Sequence, residues 1–271
     1  MSDALAREVV IALRDVHKAF DGHAVLRGVN LEVHRGEVLT LLGPSGSGKS
    51  VLLKTLIGLV PIDRGEIVVD GEVVSAMDAA QVLALRQRVG MVFQSSALFD
   101  ARTVGENVAY GLEARGRDAP PAEEIAARVA WALRLVGLAG TEDLTPAQLS
   151  GGMVRRVGIA RTIALRPSVI LYDDPTAGLD PINATRVAKV IARLRGALGV
   201  TSVVVTHDLR TAFGISDRLA FLNEGRIIAD ASVAAMRDSR DPVVHDFLAG
   251  RLAGLPEPAP FEPEDDEGQG D

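Results

Sequence analysis

The sequence predicts an α/β fold with antiparallel strands at its N-terminus, a helical stretch in its middle and a parallel sheet. Three observations predict it. Val9–Leu13 and Val29–Val33 alternate apolar and polar positions, with Gly22 and Gly36 marking turns, which is the period of antiparallel strands. From Val104 to about Arg166 apolar residues recur at three- and four-residue spacing, most clearly from Glu123 to Leu138. Short apolar runs at Val38–Leu42, Val89–Phe93, Val169–Tyr172 and Thr201–Val205 are spaced with helical stretches in the βαβ rhythm of a parallel sheet.

Taken in order, the apolar strand Val38–Leu42 runs into GPSGSGKS at Gly43–Ser50, and a helix follows from Val51 to Leu59. Gly43, Gly46 and Gly48 lack a Cβ, so this loop can wind closely around an anion and aim its N–H groups inward, helped by the positive end of the helix. Lys49 is placed to reach β- and γ-phosphates and Ser50 to bind Mg²⁺. The chain has four lysines, Lys18, Lys49, Lys54 and Lys189, so one at this position is informative. Gly65–Gly71 forms a strand and turn, Val89–Phe93 a buried strand, and the helical stretch comes next. Beyond it lie the strand Val169–Tyr172, a helix from Ala184 to about Leu198, the strand Thr201–Val205, and a hairpin of Arg218–Leu222 and Arg226–Ala229 around Asn223-Glu224-Gly225. A short helix precedes a Pro- and acid-rich tail from about Leu255, expected to be disordered.

Composition narrows the class. Of 271 residues 47% are hydrophobic and 24% charged, ordinary for a globular chain with a full core. No uncharged apolar run approaches the ~18 residues that span a bilayer, and the N-terminus lacks the basic start and apolar core of a secretory signal. The absence of cysteine excludes disulfides and thiolate-bound zinc. The net charge of −7 is concentrated at the end: Leu252–Asp271 holds seven acids and no base, leaving 29 acids against 29 bases elsewhere. Such a balanced body has little electrostatic drive toward nucleic acid.

A second set of residues completes the chemistry. Asp173 closes the strand Val169–Tyr172, where an acid holds Mg²⁺ directly or through water, and Asp174 follows in position to hold an attacking water. Leu149-Ser150-Gly151-Gly152-Met153 opens another helix with a hydroxyl and two glycines, a second anion-binding N-terminus. Because the two cradles differ, one chain is expected to supply the lysine loop and another this helix end. His207 follows a parallel strand, at the edge where ligands collect.

GPSGSGKS, Gln94 in VFQ, LSGGM, ILYDDPTAGLD and His207 in VVVTHD occur in the order and spacing of ATP-binding-cassette (ABC) ATPases, and the resemblance covers about residues 8–235. It implies an ABC-type P-loop NTPase over residues 1–254, with a mixed sheet core, an N-terminal antiparallel β-subdomain and a helical subdomain at about residues 95–165, and residues 255–271 as the tail. It also implies ATP and Mg²⁺ as cofactors. Phe20 matches the residue that stacks on adenine. Gly43, Pro44, Ser45, Gly46, Ser47, Gly48, Lys49, Ser50 and Val51 match the phosphate loop. Ser50, Gln94 and Asp173 match the magnesium set, with Gln94 also sensing the γ-phosphate. Ser150, Gly151 and Gly152 match the contacts to nucleotide on the opposite subunit, Asp180 the dimer seam, and His207 the γ-phosphate contact. The family usually has glutamate at position 174, so this carboxylate is shorter by about 1.5 Å.

The resemblance further implies an ATPase homodimer beneath separate integral-membrane permease subunits, peripheral on the cytoplasmic face of the inner membrane. Ser95–Asn107 resembles the groove for the permease coupling helix, with Leu98 and Phe99 as its floor or as internal core. FQSSALFD, YDDPTAGLDPI and Asp241–Gly250 are most similar to ATPases of Mla-type and MCE-associated phospholipid transporters. Those imply an MCE-domain lipid-binding partner and a C-terminal extension packed across the dimer, for which Phe247 and Leu248 are anchors unless they cap their own domain. An importer ATPase for a small polar solute and a slow ATP-dependent switch remain open.

Overall fold

The structure, a computed structural model, describes residues 8–250. The acidic tail lies outside the described residues. In chain order the elements are β1 (Val9–Phe20), β2 (His23–His34), β3 (Val38–Leu42), α1 (Lys49–Leu56), β4 (Arg64–Val69), β5 (Glu72–Val73), α2 (Ala79–Arg88) and β6 (Val89–Val92). Next come α3 (Val104–Glu113), α4 (Ala122–Leu135), α5 (Gly151–Ile163), β7 (Val169–Asp173), α6 (Pro181–Leu198) and β8 (Thr201–Val205). The last are α7 (Leu209–Ile215), β9 (Arg218–Asn223), β10 (Arg226–Ser232), α8 (Val233–Arg237) and α9 (Pro242–Leu248).

Two sheets result. One is antiparallel in the order β2-β1-β4-β5; the other runs β10-β9-β3-β8-β7-β6, parallel except where β10 pairs with β9. Every residue of β3, β7 and β8 is buried, so these strands read as continuous apolar runs, whereas edge strand β10 alternates between exposed and partly buried positions. Because β3, β8, β7 and β6 are adjacent and parallel, the segments that leave their C-terminal ends emerge along one edge. Those segments begin at Gly43, Thr206, Asp174 and Phe93.

The region from Val104 to Arg166 resolves into α3, α4 and α5, whose Val108, Leu112, Leu133, Val157 and Ile163 share a core with Ile170 and Val204 of the sheet. A second core joins the antiparallel sheet and α1 to the opposite face of the parallel sheet. Helix α1 stops at Leu56, short of Leu59, because Gly58 takes φ 61° and closes the turn onto Thr55. Helix α6 starts at Pro181, three residues before the periodic pattern, because Asp180 caps it and proline suits its first position. At the C-terminus Phe247 packs edge-on against Phe221 with ring centroids 4.9 Å apart, so α9 caps its own domain.

Candidate active site

The loop Gly43–Gly48 leaves β3 with a backbone that only glycine permits at two points. A Cβ on Gly43, where φ is 148°, would lie 2.1 Å from Leu222 O, and one on Gly48, where φ is 104°, would lie 3.0 Å from Val25 O. The second contact brings β2 against the loop. Its hairpin with β1 carries Phe20, an aromatic ring 43% exposed with Lys18 Nζ 5.2 Å from its centroid. Inside the loop the Ser47 hydroxyl is buried without a hydrogen-bond partner. Lys49 folds back over it, donating to Gly43 O at 2.8 Å and Pro44 O at 2.7 Å. Burial holds the Lys49 ammonium below its usual range, partly opposed by the charges of Asp174 and Asp173. An unpartnered hydroxyl and a desolvated cation in one cradle fit an anion with several acceptor oxygens, such as a polyphosphate.

Ser50 Oγ donates to Asp173 Oδ1 at 2.6 Å, joining the first turn of α1 to the end of β7. Among the described residues no group of three His, Cys, Asp or Glu side chains converges as a metal cage. Two oxygen donors suit a hydrated magnesium ion whose remaining ligands come from phosphate and water. Asp174 takes φ 45°, a left-handed conformation that aspartate tolerates, and its N–H bonds Val205 O at 2.8 Å. Its carboxylate accepts from Thr206 Oγ1 at 3.1 Å and meets His207 Nδ1 at 2.7 Å. Thr206 is fully buried and also accepts the Asp208 N–H at 3.1 Å. The sequence reading missed it, although it stands inside the same VVVTHD segment. Gln94 is exposed just beyond the end of β6, the strand paired with β7.

The other cradle lies apart. Ser150 caps α5 by accepting the Met153 N–H at 3.3 Å, and Gly152 packs so closely on α6 that a Cβ would meet Asn183 Oδ1 at 2.6 Å. Asn183 in turn donates its backbone and side-chain N–H groups to Asp180, which lowers the proton affinity of that carboxylate. Ser150, Gly151, Gly152 and Asp180 thus form one cluster, and Lys49, Ser50, Asp173, Asp174 and His207 another. No hydrogen bond joins the two among the described residues. In the segment after Gln94, Leu98 packs into the helical core, whereas Phe99 and Tyr110 are exposed with centroids 4.6 Å apart and Arg102 over both rings.

The sequence profile of the ABC transporter family matches residues 26–177. The chain is 40% identical over 252 residues, 93% of its length and 92% of the relative's, to the intermembrane phospholipid transport system ATP-binding protein MlaF of Escherichia coli K12. It is 42% identical over 226 residues, 83% of its length and 67% of the relative's, to the methionine import ATP-binding protein MetN of Caulobacter vibrioides. Among solved structures, the dimeric post-hydrolysis state of the ATP-binding cassette MJ0796, bound to ADP and Pi, is similar with a TM-score of 0.75 and 32% identity, covering 82% of this chain and 98% of that one. The P-loop between β3 and α1, the acid at the end of β7 and these similarities together show that the chain belongs to the ABC transporter family, as an ATP-binding, ATP-hydrolysing subunit.

Proposed function

We propose that this subunit works as a homodimer around two ATP molecules and drives phospholipid movement through a separate permease, with an MCE-domain protein as lipid-binding partner. Its place is the cytoplasmic face of the inner membrane; no helix among the described residues is long and apolar enough to cross one. In the proposed site Phe20 stacks on adenine and Gly43–Val51 wraps the phosphates. Lys49 leaves its loop carbonyls to neutralise charge on the β- and γ-phosphates. Ser50, Asp173 and Gln94 hold Mg²⁺, which when bound supplies charge neutralisation at the phosphate oxygens.

Asp174 is the residue on which hydrolysis turns. It accepts a proton from water as the water oxygen bonds to the γ-phosphorus and the bond to the bridging β-oxygen breaks, leaving ADP and phosphate. The single observation that carries this assignment is the three-way grip on Asp174: the Val205 carbonyl on its N–H, and Thr206 and His207 on its carboxylate. A residue held at three points, two of them on its short carboxylate, keeps one position beside Asp173. Asp174→Asn preserves size and φ tolerance but removes the base. Steady-state phosphate release is expected to fall to background while ATP binding is retained, and unchanged turnover would refute the assignment.

Similarity to MlaF along nearly its whole length supports the lipid cargo. The second reading, an importer ATPase for a small polar solute, draws on the identity to MetN. Purifying the chain with its membrane partners and identifying the bound molecule by mass spectrometry separates them. Phospholipid is expected; an amino acid or inorganic anion in its place would overturn the cargo and leave the ATPase assignment standing.

A further inference from the structure

Helix α5 carries a cation that neither cradle uses. Arg155 is 8% exposed, within salt-bridge distance of no carboxylate among the described residues, and its Nε is buried without a partner. Its guanidinium is spent instead on two loops, donating from Nη1 to Phe93 O at 3.3 Å and from Nη2 to Ala177 O at 3.1 Å. Phe93 immediately precedes Gln94. Ala177 lies in the turn that Asp174 opens, its N–H bonded to Asp174 O at 3.2 Å. Burial weakens the hold of Arg155 on its proton, and the charge of Asp174 opposes that effect, so the two groups are electrostatically close.

A buried charge with no ion-pair partner carries a desolvation penalty that its hydrogen bonds must offset. Neutral glutamine, with two amide N–H donors, would incur far less. A requirement for rigid, simultaneous contact with two loops explains the arginine, because its planar fork spans both carbonyls in a way that a flexible amide or a point-charge ammonium does not. The rest of the helix face reinforces the same loop. Arg161 donates to Ser96 O at 2.9 Å and Ala97 O at 2.8 Å, and Gly158 leaves room for Ser96, whose Cβ would be 3.3 Å from an added methyl. Positions 155, 158 and 161 share one face of α5, so the loop is fixed to the helix on both sides of Gln94.

We infer that Arg155 is a positioning residue for hydrolysis: it ties the Gln94 loop to the Asp174–Asp180 turn, so that α5, the loop and the catalytic aspartate move as one body. A shift of the loop after Gln94, where Phe99 is exposed beside Tyr110 of α3, then reaches Asp174 through one side chain. The inference rests on the proposed role of Asp174. Wild-type turnover and its loss in Asp174→Asn test that role separately.

The test is a comparison of Arg155→Gln and Arg155→Lys with wild type in steady-state phosphate release. Rates are expressed per nucleotide-binding site, titrated with a fluorescent ATP analogue, so that misfolded molecules drop out. Both variants are expected to bind nucleotide with KM within about threefold of wild type and to lose kcat by roughly ten- to a hundredfold, the scale of an ångström of misplacement. Arg155→Lys should fail although it keeps the charge, since it cannot hold both carbonyls. The inference is overturned if the per-site rate of Arg155→Gln is unchanged, if Arg155→Lys restores wild-type kcat, or if both variants lose nucleotide binding, which would make Arg155 a residue of the fold.

Discussion

At Lys49 folding and binding pull in opposite directions. Its ammonium is half-buried over loop carbonyls, and desolvation lowers its pKa from the ordinary 10.5. The folded chain therefore binds fewer protons than the unfolded chain between the two values. The resulting destabilisation is fully present below the folded value and is relieved as pH rises through it toward 10.5. Two carbonyl bonds offset it. Lys49→Met is accordingly expected to move the denaturant midpoint of the ligand-free chain little at neutral pH, while nucleotide affinity falls at least about tenfold through loss of charge-assisted bonds to phosphate. As pH rises toward 10.5 the wild type should gain stability relative to the variant. Paired denaturation and nucleotide titrations check this, and a large loss of stability alongside the loss of binding would show the lysine to be a structural brace.

The seam between α5 and α6 is set by one missing methyl. A Cβ on Gly152 would stand 2.6 Å from Asn183 Oδ1 and 2.9 Å from Asn183 Cβ, so Gly152→Ala must displace the residue that holds Asp180. Overpacking of this kind is destabilising by about 1–3 kcal/mol, against about 1 kcal/mol gained when alanine replaces glycine in a helix. A melting temperature lowered by a few degrees is expected, with slower hydrolysis because Asp180 shifts; an unchanged melt would show that α6 yields freely. Such contacts also mark what the sequence could and could not disclose. The βαβ frame, the phosphate loop and Asp173 were legible because each is a local pattern: an apolar run followed directly by the residues it presents. Helix α2 went unread because Leu85 is its one buried residue, leaving no apolar stripe, although the Asp78–Gln81 capping box was there to find. Thr206 and Arg155 escaped for a different reason. Thr206 acts on a residue 32 positions away and Arg155 on one 62 positions away, the latter through a backbone carbonyl that leaves no trace in residue type.

The two cradles of one molecule do not meet. Lys49 and Asp174 lie where β3 and β7 end in the parallel sheet, whereas Ser150 opens α5 on the far side of the Arg155 contact, bound to α6 through Gly152 and Asn183. Closing that gap within a single chain would require unpacking α5 from Phe93, Ser96 and Ala97, which its arginines hold. In the proposed homodimer a second copy, turned about a two-fold axis, supplies its Ser150 helix end to the first copy's phosphate loop. In that proposed pairing nucleotide is the adhesive, its γ-phosphate lying between the lysine loop of one copy and the Ser150 helix end of the other. Asp174→Asn saturated with Mg-ATP is therefore expected to double in mass by light scattering and to return to monomer when ATP is exchanged for ADP. Lys49→Met in the same background should remain monomeric at every ATP concentration, because the first half of the pocket no longer holds the γ-phosphate. If the arrested form stays monomeric with Mg-ATP even beside its membrane partners, the Ser150 helix end has another ligand and the shared-pocket arrangement is wrong.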